Sequence, residues 1–177
     1  MENTFGIPII PENEQERLNA LGYFSIINSV PDNYFDSFAK IIASAFDAPI
    51  ALVSIVGDED VFFRGNFGMP GTNKVSRGKS LCSLAILNPK PTVFKDALKE
   101  PCLLKNPLVI GAFGLRFYAG APLTTLDGYN IGSVCIVDKK PREWSNNDNN
   151  ILCRFAEVAM LQINTYYHKS LETIGKT

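Results

Sequence analysis

Four cysteines are the residues of this chain that could act as nucleophiles or redox groups: Cys82, Cys102, Cys135 and Cys153. Their spacing matches neither the CxxC pattern of a zinc site nor the density of a disulfide scaffold, so free thiols are expected. Cys82 falls in the first turn of a predicted short helix, where backbone N–H groups and the helix dipole lower a thiol pKa. A redox role there competes with simple packing, which is favoured because cysteine commonly packs as a small hydrophobe. Cys135 and Cys153 are interpreted as core residues.

Three charged residues, Asp96, Arg116 and Asp138, are predicted to lie at strand ends among apolar neighbours. Buried charges are rarely left unpaired. An internal salt bridge of Arg116 with one of the two carboxylates is therefore favoured slightly over a ligand-binding role. Tyr118 shares the strand face of Arg116 by the period of two. A guanidinium beside a phenol suits an anionic or carbonyl-bearing ligand.

Metal and nucleotide chemistry are not expected. His168 is the one histidine of the chain, is predicted to lie on the surface near the end of the last helix, and has no carboxylate or thiolate cluster with ligand spacing to accompany it. Residues 65–68 lack the length and the lysine of a phosphate-binding loop. The sequence therefore predicts no metal, no haem, no other cofactor and no nucleotide hydrolysis.

Composition limits the partners and the compartment. Lys and Arg total 17 against 18 for Asp and Glu, so nucleic acid is not an expected partner. The first four residues lack the start of a secretory signal, and no stretch approaches the ~18 apolar residues of a membrane span. We expect a cytoplasmic protein without membrane contact. The length and the 46% hydrophobic content predict one domain over residues 1–177.

Two helices are predicted at the start of the chain. Asn13 and Glu16 form a capping-box-like beginning for the first, and Gly22 is its predicted end. The second begins after Pro31 and ends before Pro49. Its apolar positions recur with helical spacing: Phe35, Phe38, Ile41, Ile42, Ala45 and Phe46.

A first hairpin follows these helices. Ile50–Val56 is a nearly continuous apolar run rich in β-branched residues, which predicts a central strand covered on both faces. Residues 61–67 are its predicted antiparallel partner. Residues 68–79 contain three glycines and no apolar period, and are predicted to form a long mobile loop. Ser80 is predicted to cap a short helix that continues through Leu87.

The second half repeats the hairpin pattern. Thr92–Phe94 is a predicted minor strand, and residues 96–115 are irregular, with a helical turn or two. Residues 117–122 and 131–137 are predicted as a second hairpin. The order of elements predicts an α+β fold in which helices pack on a mostly antiparallel sheet.

The final helix begins with a capping-box pattern at Ser145 and Asp148. Its apolar positions cover more of the cylinder than one contact with the sheet requires: Ile151, Leu152, Phe155, Val158, Ala159, Ile163 and Tyr166. We therefore expect a symmetric homodimer built on the first and final helices. The alternative is that the first helix covers the surplus apolar surface within one chain.

Five stretches of this sequence carry a resemblance to a known family. They are residues 49–54 (PIALVS), 106–109 (NPLV), 116–123 (RFYAGAPL), 132–138 (GSVCIVD) and 141–142 (PR). In this order they resemble the bacterial GAF domain family, over about residues 12–165, with short extensions at both termini.

The resemblance implies a PAS-like α+β fold. It has five or six antiparallel strands, helices on one face, and a loop-covered pocket for a small molecule on the other. It also implies a signal-sensing regulatory domain, transmitting through terminal helices or a dimer interface to an output domain or to a partner such as a kinase or cyclase. The ligand is unknown, because the fold hosts many unrelated ligands. The candidate ligand-binding residues are Ser80, Cys82, Leu84, Asp96, Phe113, Arg116, Tyr118 and Asp138, and no catalytic residue is assigned.

One departure from the family concerns the short helix, which usually reads Ser-Phe-Cys-Ala-His-Ala-Ile. Here residues 80–86 read SLCSLAI, with Leu84 where a histidine is usual. A leucine neither binds metal nor moves protons. Two alternatives stay open. One is a thiol enzyme similar to free methionine sulfoxide reductase, with Cys82 and Cys102 as its pair, although the sequence around both resembles the signalling branch. The other is a ligand-free dimerisation module, which a filled apolar pocket would favour.

Overall fold

A computed structural model describes residues 2–23 and 32–174, with only the backbone described at residues 23, 32 and 166–174. Its centre is a six-stranded antiparallel sheet. In chain order the strands are β1 (Ile50–Val56), β2 (Asp60–Phe67), β3 (Lys74–Ser76), β4 (Thr92–Phe94), β5 (Phe117–Thr124) and β6 (Asn130–Asp138). Their spatial order is β3-β2-β1-β6-β5-β4, so β1 and β6 pair in the middle. The predicted α+β fold and the central position of β1 are confirmed.

Five α-helices accompany the sheet in the described part of the chain. They are α1 (Glu14–Tyr23), α2 (Asp32–Ala45), α3 (Cys82–Ala85), α4 (Pro107–Ile110) and α5 (Asn146–Ile174). The predicted capping box of α5 is present, because Asp148 accepts hydrogen bonds from the backbone N–H and the hydroxyl of Ser145 at 2.8 and 2.7 Å. The prediction that Gly22 ends α1 is wrong. Gly22 does not have the positive φ of a glycine C-cap, and α1 includes it. The side chain of His168 lies outside the described residues.

One face of the sheet, here called the helix face, is covered by α2 and α5. The stripe that α2 and the residue after it bury comprises Phe35, Phe38, Ala39, Ile42, Ala43 and Phe46. Ile41, predicted to be part of it, is 58% exposed, and Ala45 is exposed as well. Both side chains lie beside the stripe, because successive helical residues are separated by about 100°.

The opposite face, here called the cavity face, is covered by α3, α4 and the irregular segments around them. Residues 68–79 were predicted as a loop without structure, and this is wrong at β3, which pairs with β2 through Val61 and Val75. A three-residue edge strand is held by its backbone hydrogen bonds to β2, so its sequence does not need alternating apolar residues. Ser80 does not cap α3 with its side chain: Leu81 occupies the N-cap position, and the helix ends at Ala85.

Of the helices that the structure describes, none is long and apolar enough to cross a membrane.

Candidate functional site

Buried hydroxyl and thiol groups lie at the centre of the cavity face. Ser54 and Ser133 are register partners on β1 and β6, and both are fully buried. The hydroxyl of Ser54 lies 3.1 Å from the carbonyl oxygen of Ser133 and 3.0 Å from its hydroxyl. Cys135 lies two residues beyond Ser133 and therefore on the same face. The sulphur atoms of Cys82 and Cys135 are 3.7 Å apart. These two residues are called the thiol pair.

A hydrogen bond joins the two sulphurs of the thiol pair and couples their ionisation. A hydrogen bond between the two sulphurs lowers the pKa of Cys82 to about 5, although burial acts in the opposite direction. The same hydrogen bond, followed by burial, raises the pKa of Cys135 well above its usual value. A single proton held between two sulphurs thus favours one thiolate and opposes a second. The two pKa shifts have opposite directions, and Cys82 is the more acidic thiol of the pair.

Tyr118 adds a phenol to this group. It is 1% exposed, and its hydroxyl has no hydrogen-bond partner within the described residues. The hydroxyl lies against Gly120, where any Cβ would collide with it. A glycine at position 120 thus provides the space for the phenol. Burial, and next the charge on Cys82, raise the pKa of Tyr118 well above 10, so the phenol stays protonated and can donate.

A narrow apolar cavity adjoins these groups. Its floor includes Leu52, Cys135 and Tyr118 from three neighbouring strands, and its outer wall, here called the lid, includes Met69, Leu108 and Phe113. The cavity volume is about 30 Å³. That is room for about one or two water molecules, whereas pockets for drug-sized ligands measure roughly 300–1,000 Å³. In this conformation the lid leaves no room for such a ligand.

The structure brings together part of the predicted site. Ser80, Cys82, Phe113 and Tyr118 line the cavity. Leu84 is buried in the same core cluster but is not among the residues that line the cavity. The interpretation of Cys135 as a core residue is confirmed, but its contact with Cys82 was missed. Leu52, Met69, Leu108 and Val137 also line the cavity and were missed. Strand alternation could have placed Leu52 and Val137 on this face, but no sequence signal places the lid.

The three predicted charged residues do not pair with one another in the way expected. Arg116 donates hydrogen bonds to the carbonyl oxygens of Val109 and Leu115, at 2.9 and 2.8 Å. Asp96 pairs with Lys99 at 3.2 Å, and Asp138 pairs with Arg142 at 3.1 Å. The predicted salt bridge of Arg116 is therefore wrong. Its guanidinium satisfies one backbone acceptor in α4 and one at Leu115, just before β5. Each carboxylate has a cation within one helical turn of sequence.

Cys102 lies in a different place from the thiol pair. It lines a surface groove formed by residues 4–7 and 101–105. Burial, and then the carboxylate of Glu100, raise its pKa. Cys82 lines the apolar cavity and Cys102 lines this separate groove, so the alternative pair of Cys82 as nucleophile and Cys102 as resolving residue does not share one cavity.

A buried ion cluster links the rim of the site to α1, and the sequence reasoning missed it. Arg17 and Arg77 are both fully buried, and both donate to the carboxylate of Glu14. Burial alone would raise the pKa of Glu14, but the hydrogen bonds and charges of the two arginines outweigh it and lower the pKa from 4.5 to about 2. Ser83 of α3 donates to the carbonyl oxygen of Arg77 at 2.6 Å. Polar contacts thus run continuously from α3 to α1.

Among the described residues, no group of three or more His, Cys, Asp or Glu side chains is placed to hold a metal ion.

The fold and site define a class of protein: an α+β domain with helices on one face of its sheet and a small apolar cavity on the other. The sequence model of the GAF domain matches residues 31–163, and the chain belongs to this family. It is 35% identical over 159 residues to a Pseudomonas aeruginosa protein named as a cyclic di-GMP phosphodiesterase. The match covers 89% of this chain but 27% of that protein, so the chain spans about a quarter of its relative.

Solved structures show the same fold. The GAF domain of a phosphoenolpyruvate-protein phosphotransferase from Coxiella burnetii is similar at a TM-score of 0.65 and 16% identity, covering 88% of this chain and 98% of that one. A free methionine-R-sulfoxide reductase from Neisseria meningitidis, solved with its substrate, is similar at a TM-score of 0.63 and 15% identity, covering 88% and 90%. At these identities the likeness concerns the fold alone.

Proposed function

We propose that this GAF domain is a regulatory sensor in which a small apolar molecule opens the lid and changes the position of the terminal helices. The observation that carries the proposal is the apolar cavity at the centre of the sheet, with a lid formed by Met69, Leu108 and Phe113. Because the cavity measures about 30 Å³, only a conformation with a displaced lid admits a ligand. Binding then shifts the population towards that conformation.

The contacts between α3 and α1 provide a path for the signal. Ser80, Leu81 and Cys82 line the cavity, and the next residue, Ser83, is bonded to Arg77. Arg77 shares the carboxylate of Glu14 with Arg17 on α1. A displacement of α3 therefore changes the environment of a buried ion cluster, and buried ion pairs tolerate little change in geometry.

The output is proposed to be an enzyme that the domain regulates, such as a kinase or cyclase, or a phosphodiesterase as the name of the relative suggests. The match to that relative covers 27% of its length, which supports a regulatory part more than a complete enzyme. We also propose one domain over residues 1–177, located in the cytoplasm, where its four free thiols would persist.

Native mass spectrometry tests the sensor proposal. The protein as isolated and the variant Phe113→Ala are compared, and indole at millimolar concentration is the apolar probe. Phe113→Ala should bind indole more tightly than the wild type, and indole should raise its melting temperature. Ile110→Ala is the matched control, since Ile110 is 63% exposed and does not line the cavity. Equal, negligible binding by all three proteins would contradict the proposal.

A second candidate function is a dimerisation module whose cavity stays without a ligand, and α5 favours it. Ile151, Val158 and Leu161 are 38%, 41% and 65% exposed. Their spacing of seven and then three residues is that of a coiled-coil seam. We propose that two copies of α5 pair along this stripe, which would explain its exposed apolar side chains.

Analytical ultracentrifugation at micromolar concentration tests the dimer. The wild type should sediment as a dimer, and Val158→Glu should shift it to a monomer. Ser37→Glu places the same charge on an exposed position of α2 and should leave the dimer intact. A monomeric wild type would rule out both the dimer and the second candidate function.

A further inference from the structure

Cys82 and Cys135 lie close enough to form a bond after a small movement. Their sulphurs are 3.7 Å apart, both residues are free cysteines, and their exposed fractions are 3% and 0%. A disulfide bond is about 2.05 Å long. Cys135 lies on β6, which is paired on both sides, whereas α3 is a four-residue helix without a side-chain cap. Closing the distance therefore requires α3, more than the sheet, to move.

The cavity beside the two thiols matches a very small oxidant. Both cysteines line it, and its volume is about 30 Å³. Hydrogen peroxide is roughly the size of two water molecules, so it fits where a larger ligand does not. The phenol of Tyr118 lines the same cavity, is buried, and has no hydrogen-bond partner in the described residues. Its hydroxyl neighbours both thiols and Ser133, so it is placed to donate to a peroxide oxygen that enters between them.

We propose that Cys82 and Cys135 form a peroxide-reactive dithiol site that converts to a disulfide. The thiolate of Cys82 attacks one oxygen of hydrogen peroxide and the O–O bond breaks. The leaving hydroxide takes up the proton that Cys82 released in forming its thiolate, and becomes water. Cys82 is then a sulfenic acid. The sulphur of Cys135 attacks the sulphur of Cys82, the S–S bond forms and the S–O bond breaks. The leaving hydroxide combines with the proton of Cys135 as a second water.

Electrons and atoms balance over these reaction steps. Two thiols lose two electrons in forming one disulfide, and one hydrogen peroxide gains them in forming two waters. A dithiol reductant restores the reduced pair by thiol–disulfide exchange. Cys82 is assigned as the attacking sulphur because it lies on α3, the element that moves, and is 3% exposed against 0% for Cys135. The hydrogen bond between the sulphurs, which lowers the pKa of Cys82, favours the same assignment.

Oxidation also has a structural consequence. Moving α3 towards β6 pulls on Ser83, whose hydroxyl is bonded to the carbonyl oxygen of Arg77 at 2.6 Å. Arg77 in turn contacts Glu14 of α1. The disulfide would therefore act on α1 through the same contacts that we propose for the opening of the lid.

The test is a peroxide titration of the reduced wild-type chain. After each dose the protein is unfolded, remaining thiols are alkylated, and peptides are identified by mass spectrometry. Cys102 serves as the internal standard, because it is more exposed than the thiol pair. The expected result is a disulfide between Cys82 and Cys135 that forms at least about tenfold faster than Cys102 is oxidised. Full alkylation of Cys82 and Cys135 at doses that oxidise Cys102 would overturn the proposal.

Cysteine variants distinguish the attacking cysteine from the resolving cysteine. In Cys135→Ala, dimedone should trap a sulfenic acid at Cys82, and in Cys82→Ala, Cys135 should remain unmodified at the same dose. Cys153→Ala is the matched control and should form the disulfide like the wild type, since Cys153 lies on α5. Preferential oxidation of Cys135 in Cys82→Ala would contradict the assignment of Cys82 as the attacking residue. The main result comes from the wild type, so a variant that fails to fold leaves the proposal testable.

Discussion

The two faces of the sheet differ in the kinds of side chain that they bury. On the helix face, aromatic rings pack in direct contact: the ring centroids of Phe46 and Trp144 are 5.2 Å apart, and those of Phe117 and Trp144 are 5.4 Å apart. On the cavity face, Ser54, Ser133 and Arg77 are fully buried. Burying polar groups costs free energy that apolar residues of the same volume would not.

The two faces therefore differ in the polarity of the groups that they bury. The helix face is held by apolar packing against α2 and α5, whereas the cavity face combines apolar residues with buried hydroxyl groups and a buried arginine. Groups that break a local rule of packing concentrate at functional sites. The comparison places apolar packing on the helix face and the groups that we propose to act in sensing on the cavity face. Each of the following substitutions tests this difference.

The largest expected effect is on the helix face. Phe117→Ala should lower the free energy of unfolding by about 3–5 kcal/mol, because it leaves a cavity beneath Trp144. Phe113→Ala is the matched change on the cavity face, where the ring is partly exposed and lies 5.1 Å from the ammonium of Lys139. It should cost less than about 2 kcal/mol. Urea denaturation measures both, and equal losses would remove the distinction between the faces.

The next effect concerns the ion cluster. Glu14→Gln should destabilise the fold by on the order of 3 kcal/mol, because two buried guanidiniums lose their shared carboxylate. Glu16→Gln, an exposed position on the same helix, is the control and should change the stability little. Thermal unfolding at neutral pH measures both variants, and a Glu14→Gln protein as stable as the control would contradict the role of the cluster.

The carboxylate of Glu14 also makes the stability of the fold depend on pH. The pKa of Glu14 is about 2 in the folded protein against 4.5 for the free side chain, so the unfolded chain takes up the proton first as the pH falls. The contribution of Glu14 to stability is therefore fully present above about pH 4.5 and is lost as the pH falls towards 2. Glu14→Gln should show a flatter stability profile than the wild type in this window. Parallel profiles would show that another group is responsible.

A smaller effect is expected at Arg116. Arg116→Ala should cost about 1–2 kcal/mol, since its side chain bonds neutral carbonyl oxygens and not a carboxylate. A double-mutant cycle with Asp138→Asn sharpens this result, and the two changes should add to within about 0.5 kcal/mol. A larger coupling energy would show that Arg116 and Asp138 interact, as the sequence analysis predicted.

The smallest effect is expected at the paired serines. Ser54→Ala should cost about 1 kcal/mol, because it removes one buried hydrogen bond to the carbonyl oxygen of Ser133. The double variant with Ser133→Ala should cost less than the sum of the two single changes, since both hydroxyls of the pair are then absent. Chemical denaturation of the three variants measures the difference. Strict additivity would mean that the hydroxyls do not interact.

The elements of the fold were largely predictable, because each depends on residues near in sequence. The apolar run of β1, the hairpin of β5 and β6, and the capping box at Ser145 were all predicted and are present. Two local predictions failed at helix ends, at Gly22 and at Ser80. The other predictions failed where a distant strand or charge decides. β3 exists because the edge of β2 is available to pair with it.

The sequence by itself determined the family and the α+β fold, since motif, periodicity and turn chemistry are local properties of the chain. The resemblance to the family also indicated that a cavity lies on the face opposite the helices. It also named Ser80, Cys82, Phe113 and Tyr118 as neighbours of the cavity. Only the tertiary structure decided that Cys82 contacts Cys135, 53 residues away, and that Glu14 binds Arg77, 63 residues away. The physical reason is that such pairs form where elements from separate parts of the chain pack together. Distances between such residues and the volumes of cavities are set by that packing, so no single segment of the chain determines them.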